Sequence, residues 1–424
     1  MSFSERLQDI RTGFERPFWV ANITEIFERV SYYAVFAALA RYLHEALQFP
    51  TAEAATLTGF FGTGVWAMAI FGGAVADRIG FRRALSTAYF ILTCAYFLVG
   101  SIAAPWLSPV RAVLPLGLLA GIILFLPALG VALVKPSVVG TTARASKENV
   151  RSIGYSIYYT MVNIGSFFGP FLAGWIHSRM HVESVFRLAA LSVFAMFVVV
   201  LLFFREPRRA SNEQAPSLAQ VGRNFLTVAA NWRFVLFLVI FSGYWIVFWQ
   251  QYLILPLYVH DYISPTANTE YILMADPIIV ITCTVAVNAL TRRIPSFAAV
   301  TLGTLITALA WLLLAASPHV WTAVVALMIV ALGEITQSPR YYEYISRLAP
   351  AGQQGTYMGF AFLPIGIGSL VGGKLGGWLI QHYGEVQRQP ERIWWVVTGI
   401  GVATAVLLWI YDKTLRTGGS TPAA

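Results

Sequence analysis

Long runs of predominantly apolar residues recur from one end of the chain to the other, and nothing else in the sequence constrains the fold as strongly. They fall at roughly 18–43, 55–76, 84–104, 111–140, 154–177 and 185–204. After a polar stretch from Arg205 to Arg233 they resume at roughly 232–259, 269–290, 297–316, 321–347, 355–383 and 393–411. About twenty such residues span the hydrocarbon core of a bilayer as a helix. Of the 424 residues 57% are hydrophobic and 12% charged, where a soluble domain carries about a quarter charged. The chain therefore reads as an all-α membrane protein with twelve transmembrane helices. No length remains for a large soluble domain, and a nucleic-acid-binding or secreted disulfide-rich protein is excluded. Cys94 and Cys283 lie in separate apolar runs, so neither a disulfide nor a metal site is expected of them.

An even number of spans puts both termini on one side, and the Lys/Arg bias says which. Nineteen basic residues lie on the terminal side, among them Arg6, Arg11, Arg78, Arg82, Arg83, Arg208 and Arg209. Six lie opposite, and Arg29, Lys135, Arg340 and Lys374 fall within spans. Both termini are expected in the cytoplasm, with the protein in the inner or plasma membrane. The net charge of +9 then reflects topology more than an anionic ligand. The first seventeen residues lack an apolar core, so no cleavable signal peptide is expected.

An internal repeat divides the chain. Ile164-Gly165-Ser166-Phe167-Phe168-Gly169 through Gly174-Trp175 returns as Ile367-Gly368-Ser369-Leu370-Val371-Gly372 through Gly377-Trp378, 203 residues later. The same offset carries Leu129-Gly130 onto Leu332-Gly333, Pro136 onto Pro339 and Arg144 onto Arg347. Helices four and five thus map onto ten and eleven. The expected domains are a six-helix bundle over 1–204, a cytoplasmic linker over 205–231, and a second six-helix bundle with a short tail over 232–424. This arrangement resembles the major facilitator superfamily, which implies solute binding between the halves near the bilayer midplane.

Charge inside a membrane costs about 2.5–3.5 kcal/mol per residue on insertion scales and calls for a partner, water or a function. Glu25, Glu28 and Arg29 share one face of the first helix with Tyr32, Tyr33 and Phe36, at about 100° per residue. Helix four adds Lys135 before Pro136, helix eight Asp276 before Pro277, helix ten Glu334, Gln337, Ser338 and Tyr341, and helix eleven Lys374. Structural salt bridges would also account for these charges. Proton carriage accounts for them better, because a buried carboxyl gains or loses its proton as a cationic partner moves. Coupling would follow from competition for Lys135.

These segments resemble the proton-coupled oligopeptide transporters. Glu25-Ile26-Phe27-Glu28-Arg29-Val30-Ser31-Tyr32-Tyr33 is similar to that family's first-helix signature, and Lys135-Pro136 to its helix-four lysine. Tyr158-Tyr159-Thr160-Met161-Val162-Asn163-Ile164-Gly165 is similar to its helix-five signature. Gly333-Glu334, Ser338-Pro339 and Leu348-Ala349-Pro350 are similar to its helix-ten segment. The stretch from Gly72 to Arg83 marks only the superfamily. The resemblance implies proton coupling through Glu25, Glu28, Arg29, Lys135 and Glu334. The residues together give as candidate solute contacts Tyr32, Tyr33, Phe36, Lys135, Asn163, Trp245, Trp249, Asp276, Glu334 and Ser338. The departures are specific. Phe36 stands where the family's peptide carriers usually have an arginine, no carboxylate occurs around Trp249-Gln250, and Asp276-Pro277 replaces Asn-Pro.

Weaker signals complete the reading. The six histidines fall near outward helix ends, and the His177/His181 spacing lacks a third metal ligand. Trp245, Trp249 and Tyr252 form a stripe that suits helix packing as well as a cavity wall. The glycines of helices five and eleven suit close helix contact or hinges. No phosphate-cradling loop is present, so a gradient supplies any energy. The expected protein is a monomeric symporter of protons and a small solute, a short peptide or amino-acid-like compound. It needs no cofactor or metal, and its partners are the solute, protons and the lipid bilayer. The alternative is an exporter of drug-like cations. A sensor has too little non-membrane chain, and an enzyme lacks a nucleophile–base pair.

Overall fold

A computed structural model describes residues 13–207, 218–348 and 354–416. Arg6, Arg11, Arg208, Arg209 and the Ala349-Pro350 pair lie outside the described residues, as does the chain after Arg416. Twelve long helical segments carry the fold. The first six are α1 (Arg16–Arg41), α2 (Thr51–Ile79), α3 (Phe81–Val99), α4 (Leu116–Arg144), α5 (Arg151–His177) and α6 (Glu183–Phe203). The next six are α7 (Trp232–Leu253), α8 (Thr269–Thr291), α9 (Ser296–Ala316), α10 (Val320–Leu348), α11 (Tyr357–Val386) and α12 (Glu391–Tyr411). No named strand occurs among the described residues.

Eight of these helices are long and apolar enough to cross a membrane by length and composition, and α2 makes nine if its two bent halves count as one span. The first helix falls short because Glu25, Glu28 and Arg29 occupy its middle. Large apolar side chains are turned outward along the spans, including Phe90, Leu191, Leu202, Val285 and Trp321, as lipid-facing surface requires.

The chain divides into two compact units, Met1–Tyr42 with Gly64–Leu218, and Leu43–Thr63 with Ala219–Ala424. The division does not follow chain order alone, because the first part of α2 groups with the second unit. Within the first unit α1 packs on α5 and α6, and α3 on α4 and α6. Within the second, α7 packs on α11 and α12, and α9 on α10 and α12. The two packing schemes are the same scheme, so the repeat seen in the sequence is carried through to helix pairing.

One sequence boundary shifts, and the linker proves to hold a helix. The run expected at 111–140 begins as a separate short helix, Ser108–Val113, and α4 starts only at Leu116, after Leu114-Pro115 turns the chain. The linker expected over 205–231 contains a helix, Leu218–Ala229. At twelve residues it is too short to register as a span.

Proline interrupts the spans where the charges and aromatics sit. Pro277 has no N–H for the carbonyl four residues back, and α8 breaks at Met274 between Thr269–Leu273 and Ala275–Thr291. Pro364 acts in the same way on α11, where Gln354–Phe360 stops before Leu363–Leu379 begins. A carbonyl freed in a membrane needs a donor. The Tyr341 hydroxyl donates to the Ala361 carbonyl at 2.8 Å, and Trp249 Nε1 donates to the Ile365 carbonyl at 3.1 Å.

Candidate functional site

The first unit gathers its charges on α1. Glu25 and Glu28 are fully buried and Arg29 is 2% exposed. Arg29 Nε donates to Glu28 Oε2 at 2.5 Å and lies 3.3 Å from Glu25 Oε1, so one guanidinium nitrogen serves two carboxylates. The same guanidinium covers the ring of Tyr32 at 5.1 Å. Lys135, delivered by α4, faces Glu25, Glu28 and Arg29, and its ammonium stands 4.1 Å from the centroid of the Trp66 ring. Glu25, Glu28 and Arg29 thus lie together on the buried side of α1, within electrostatic reach of Lys135.

This cluster is under-satisfied. Both oxygens of Glu25, Glu28 Oε1 and Arg29 Nη2 are buried without a hydrogen-bond partner among the described residues. Buried polar groups in folded proteins are nearly always bonded. Groups with spare capacity can take a proton, a water molecule or a polar solute. Sequence reasoning missed the tyrosines that enclose them. Tyr89 and Tyr96 of α3 are completely buried, and both lie within electrostatic reach of Glu28 and Arg29. So does Tyr158 of α5. A signal existed, because Tyr89 and Tyr96 are two turns apart on one helix face.

Other expected residues are placed less centrally. Tyr33 is half-buried against α5, where a Cβ on Gly169 would lie 2.6 Å from the Tyr33 Cβ. Phe36 is 1% exposed, with its ring 5.9 Å from that of Tyr32. The Asn163 amide donates to the Tyr159 carbonyl one turn back, at 2.8 Å.

The second unit holds a different cluster. Asp276 of α8 and Glu334 of α10 lie near enough for their carboxyl groups to interact, with Gln251 of α7 near Asp276. Tyr244 of α7 faces both carboxyls, with Gln337 alongside. The Tyr244 hydroxyl, Gln251 Nε2 and Oε1 and Gln337 Oε1 are buried without a hydrogen-bond partner among the described residues. The Ser338 hydroxyl accepts from Gln337 Nε2 at 2.8 Å. Lys374, a conceivable partner of Asp276 from the sequence, is exposed, and no ion pair joins the two among the described residues. The i,i+3 pair Arg340–Glu343 does form, at 2.9 Å.

The aromatic stripe on α7 is continuous. The rings of Trp245 and Trp249 are 5.7 Å apart, and those of Trp249 and Tyr252 are 5.8 Å apart. Both tryptophans are nearly buried, and Trp249 is tied to α11 through the Ile365 carbonyl.

Two clusters of buried charge on a repeated helical unit define a membrane transporter rather than an enzyme. A family description, Major Facilitator Superfamily, matches residues 22–363 and 299–424, and the chain belongs to that superfamily and its twelve-helix fold. Among curated relatives, Multidrug resistance protein MdtH of Klebsiella pneumoniae is 25% identical over 346 residues, 81% of each chain. The MdtH of an Enterobacter species is 24% identical, again over 81% of each. Solved structures share the fold. A peptide transporter POT in complex with sulfate superposes with a TM-score of 0.74 at 19% identity over 94% of both chains. A POT family transporter in complex with 5-aminolevulinic acid gives 0.75 at 16%, covering 94% of this chain and 96% of the other. The POT family transporter PepTSo gives 0.76 at 16%, covering 95% and 98%.

Proposed function

We propose that this chain is a proton-coupled symporter that imports a small organic solute, a short peptide or an amino-acid-like compound, by alternating access. The reading rests on one observation above all. Two fully buried carboxylates, Glu25 and Glu28, share one nitrogen of Arg29 and face Lys135, with buried oxygens left over. Such a set can pass a proton on or off as the ammonium changes partner. Glu25, Glu28, Arg29, Lys135 and Glu334 carry the coupling in this reading. Tyr32, Tyr33, Phe36, Asn163, Trp245, Trp249, Asp276 and Ser338 shape the solute site. The helix-one and helix-five signatures resemble the oligopeptide transporters, and the POT family structures superpose over nearly the whole chain. In this reading both termini lie in the cytoplasm, a placement the basic excess supports, and the protein acts as a monomer.

A second reading has its own support. The neighbouring Asp276 and Glu334 carboxyls can hold one proton between them or, with both ionised, a cation. The curated relatives are named for multidrug resistance. Both features favour export of drug-like cations in exchange for protons. Proteoliposomes separate the two readings. With an imposed inward proton gradient, the symporter accumulates a labelled peptide or amino-acid analogue. If accumulation is absent and the gradient instead drives a cationic dye out, the exporter reading holds.

A further inference from the structure

The turn between α2 and α3 uses Gly80 at φ +88°, in the region L-residues rarely adopt. Glu206, just beyond α6, accepts from the backbone N–H of Phe81 at 2.8 Å and of Arg82 at 2.7 Å. The amides that open α3 are therefore already engaged, and no external anion needs to cap them. Around this turn lies an open cavity of about 440 Å³ lined by Arg78, Arg82, Arg83, Glu206 and the backbone at Gly80. A second cavity of about 520 Å³ shares Ile79, Arg82 and Arg83 and adds Ser86, Thr87 and Leu201. Arg82 Nη2 is held by the Leu201 carbonyl at 2.9 Å. Arg78 and Arg83 are exposed, and no ion pair engages either among the described residues. The neighbouring Asp77 is instead paired with Arg144, at 3.4 Å.

We propose that this corner binds the headgroup of an anionic phospholipid from the leaflet at which the α2–α3 turn lies. The phosphate sits against the guanidinium groups of Arg78 and Arg83, which suit planar, bidentate phosphate contacts. Ser86 and Thr87 meet the glycerol region. The acyl chain leaves along Ile79 and Leu201 and runs inward past the exposed Val198 and Phe194 of α6 and Phe90 of α3. That apolar exit favours a lipid over a free phosphate, because a soluble anion gains nothing from it. Basic pockets between helices at the membrane edge bind anionic headgroups on the same principle. This inference is independent of what the protein transports.

The test uses the purified, delipidated chain in neutral detergent, with phosphatidylglycerol, phosphatidylcholine or inorganic phosphate added. Retained lipid is read by native mass spectrometry, and stabilisation by thermal unfolding. Phosphatidylglycerol is expected to be retained and to raise the unfolding temperature more than phosphatidylcholine does. Arg78→Gln with Arg83→Gln should weaken it by about fivefold per arginine. Arg388→Gln with Arg392→Gln, the same charge loss elsewhere, should leave retention at the parent level. Glu206→Gln removes the carboxylate from the lining but keeps an oxygen for the Phe81 amide, and should tighten retention, an effect no merely structural role predicts. Equal retention of the two lipids, equal losses in both arginine pairs, weaker retention by Glu206→Gln, or the same stabilisation from inorganic phosphate would each overturn the proposal.

Discussion

Gly165 of α5 lies so close to Arg29 of α1 that a Cβ placed on it would stand 2.3 Å from the Arg29 Cβ. Gly368 of α11 stands in the same relation to Trp245 of α7, also at 2.3 Å. The repeat therefore preserves a backbone contact while changing what it holds, a cation in one unit and an indole in the other. Gly165→Ala is expected to lower stability by about 1–3 kcal/mol through overpacking, despite the helix propensity gained. Gly121→Ala and Gly399→Ala, where nothing lies within 4 Å, should be neutral or slightly stabilising. Thermal unfolding in detergent measures all three; equal behaviour would mean that the helices separate freely at Gly165.

Glu28→Gln should abolish accumulation driven by a proton gradient while leaving exchange between equal solute pools. The amide keeps a polar contact with Arg29 but carries no proton. Counterflow and gradient-driven uptake in proteoliposomes distinguish the two activities, and full concentrative uptake by the variant would remove Glu28 from the coupling step.

Lys135→Ala should lose both coupling and about ten- to a hundredfold in affinity for anionic or zwitterionic solutes, the scale of a charge-assisted contact of about 1.5–3 kcal/mol. Lys135→Arg should not rescue it, because a planar guanidinium must fit where an ammonium stands 4.1 Å from the Trp66 ring. Parent-like binding and acid-driven transport in Lys135→Ala would mark the lysine as structural.

Ordinary dipeptides should compete weakly, and solutes with an extra cationic group better. Phe36 is buried where a peptide-holding arginine is usual in the family it resembles, and Asp276 adds a carboxyl to Glu334. Asp276→Asn should shift the competition profile back toward dipeptides. If di-alanine and unrelated dipeptides compete at low micromolar concentrations in the parent, and Asp276→Asn changes nothing, the acid pair does not select the solute.

Local properties made much of the first unit's cluster legible. Glu25, Glu28, Arg29 and Tyr32 fall on one helix face by periodicity alone, and a charge so placed must turn inward. Lys135 was legible as a charge within a span, and the resemblance of Lys135-Pro136 to the family's helix-four lysine singled it out. The second unit was less legible. Asp276 sits beside a proline that breaks α8, and its neighbour depends on how α8 packs on α10. That packing brings Glu334 to it and leaves Lys374 exposed.

Apolar run length, the basic excess on alternate loops and the 203-residue repeat are properties of neighbouring residues or of chain order. From them alone followed the spans, the two-fold organisation and the charged face of α1. Which helices touch was decided only in the tertiary structure. Tyr89 and Tyr96 come within electrostatic reach of Glu28 and Arg29, Trp66 receives Lys135, and Tyr341 satisfies the carbonyl that the Pro364 break leaves at Ala361. Helix periodicity says which way a side chain points on its own axis. What it meets is set by the crossing of a second helix far away in the chain, where close packing and the need to satisfy every buried polar group choose the partner.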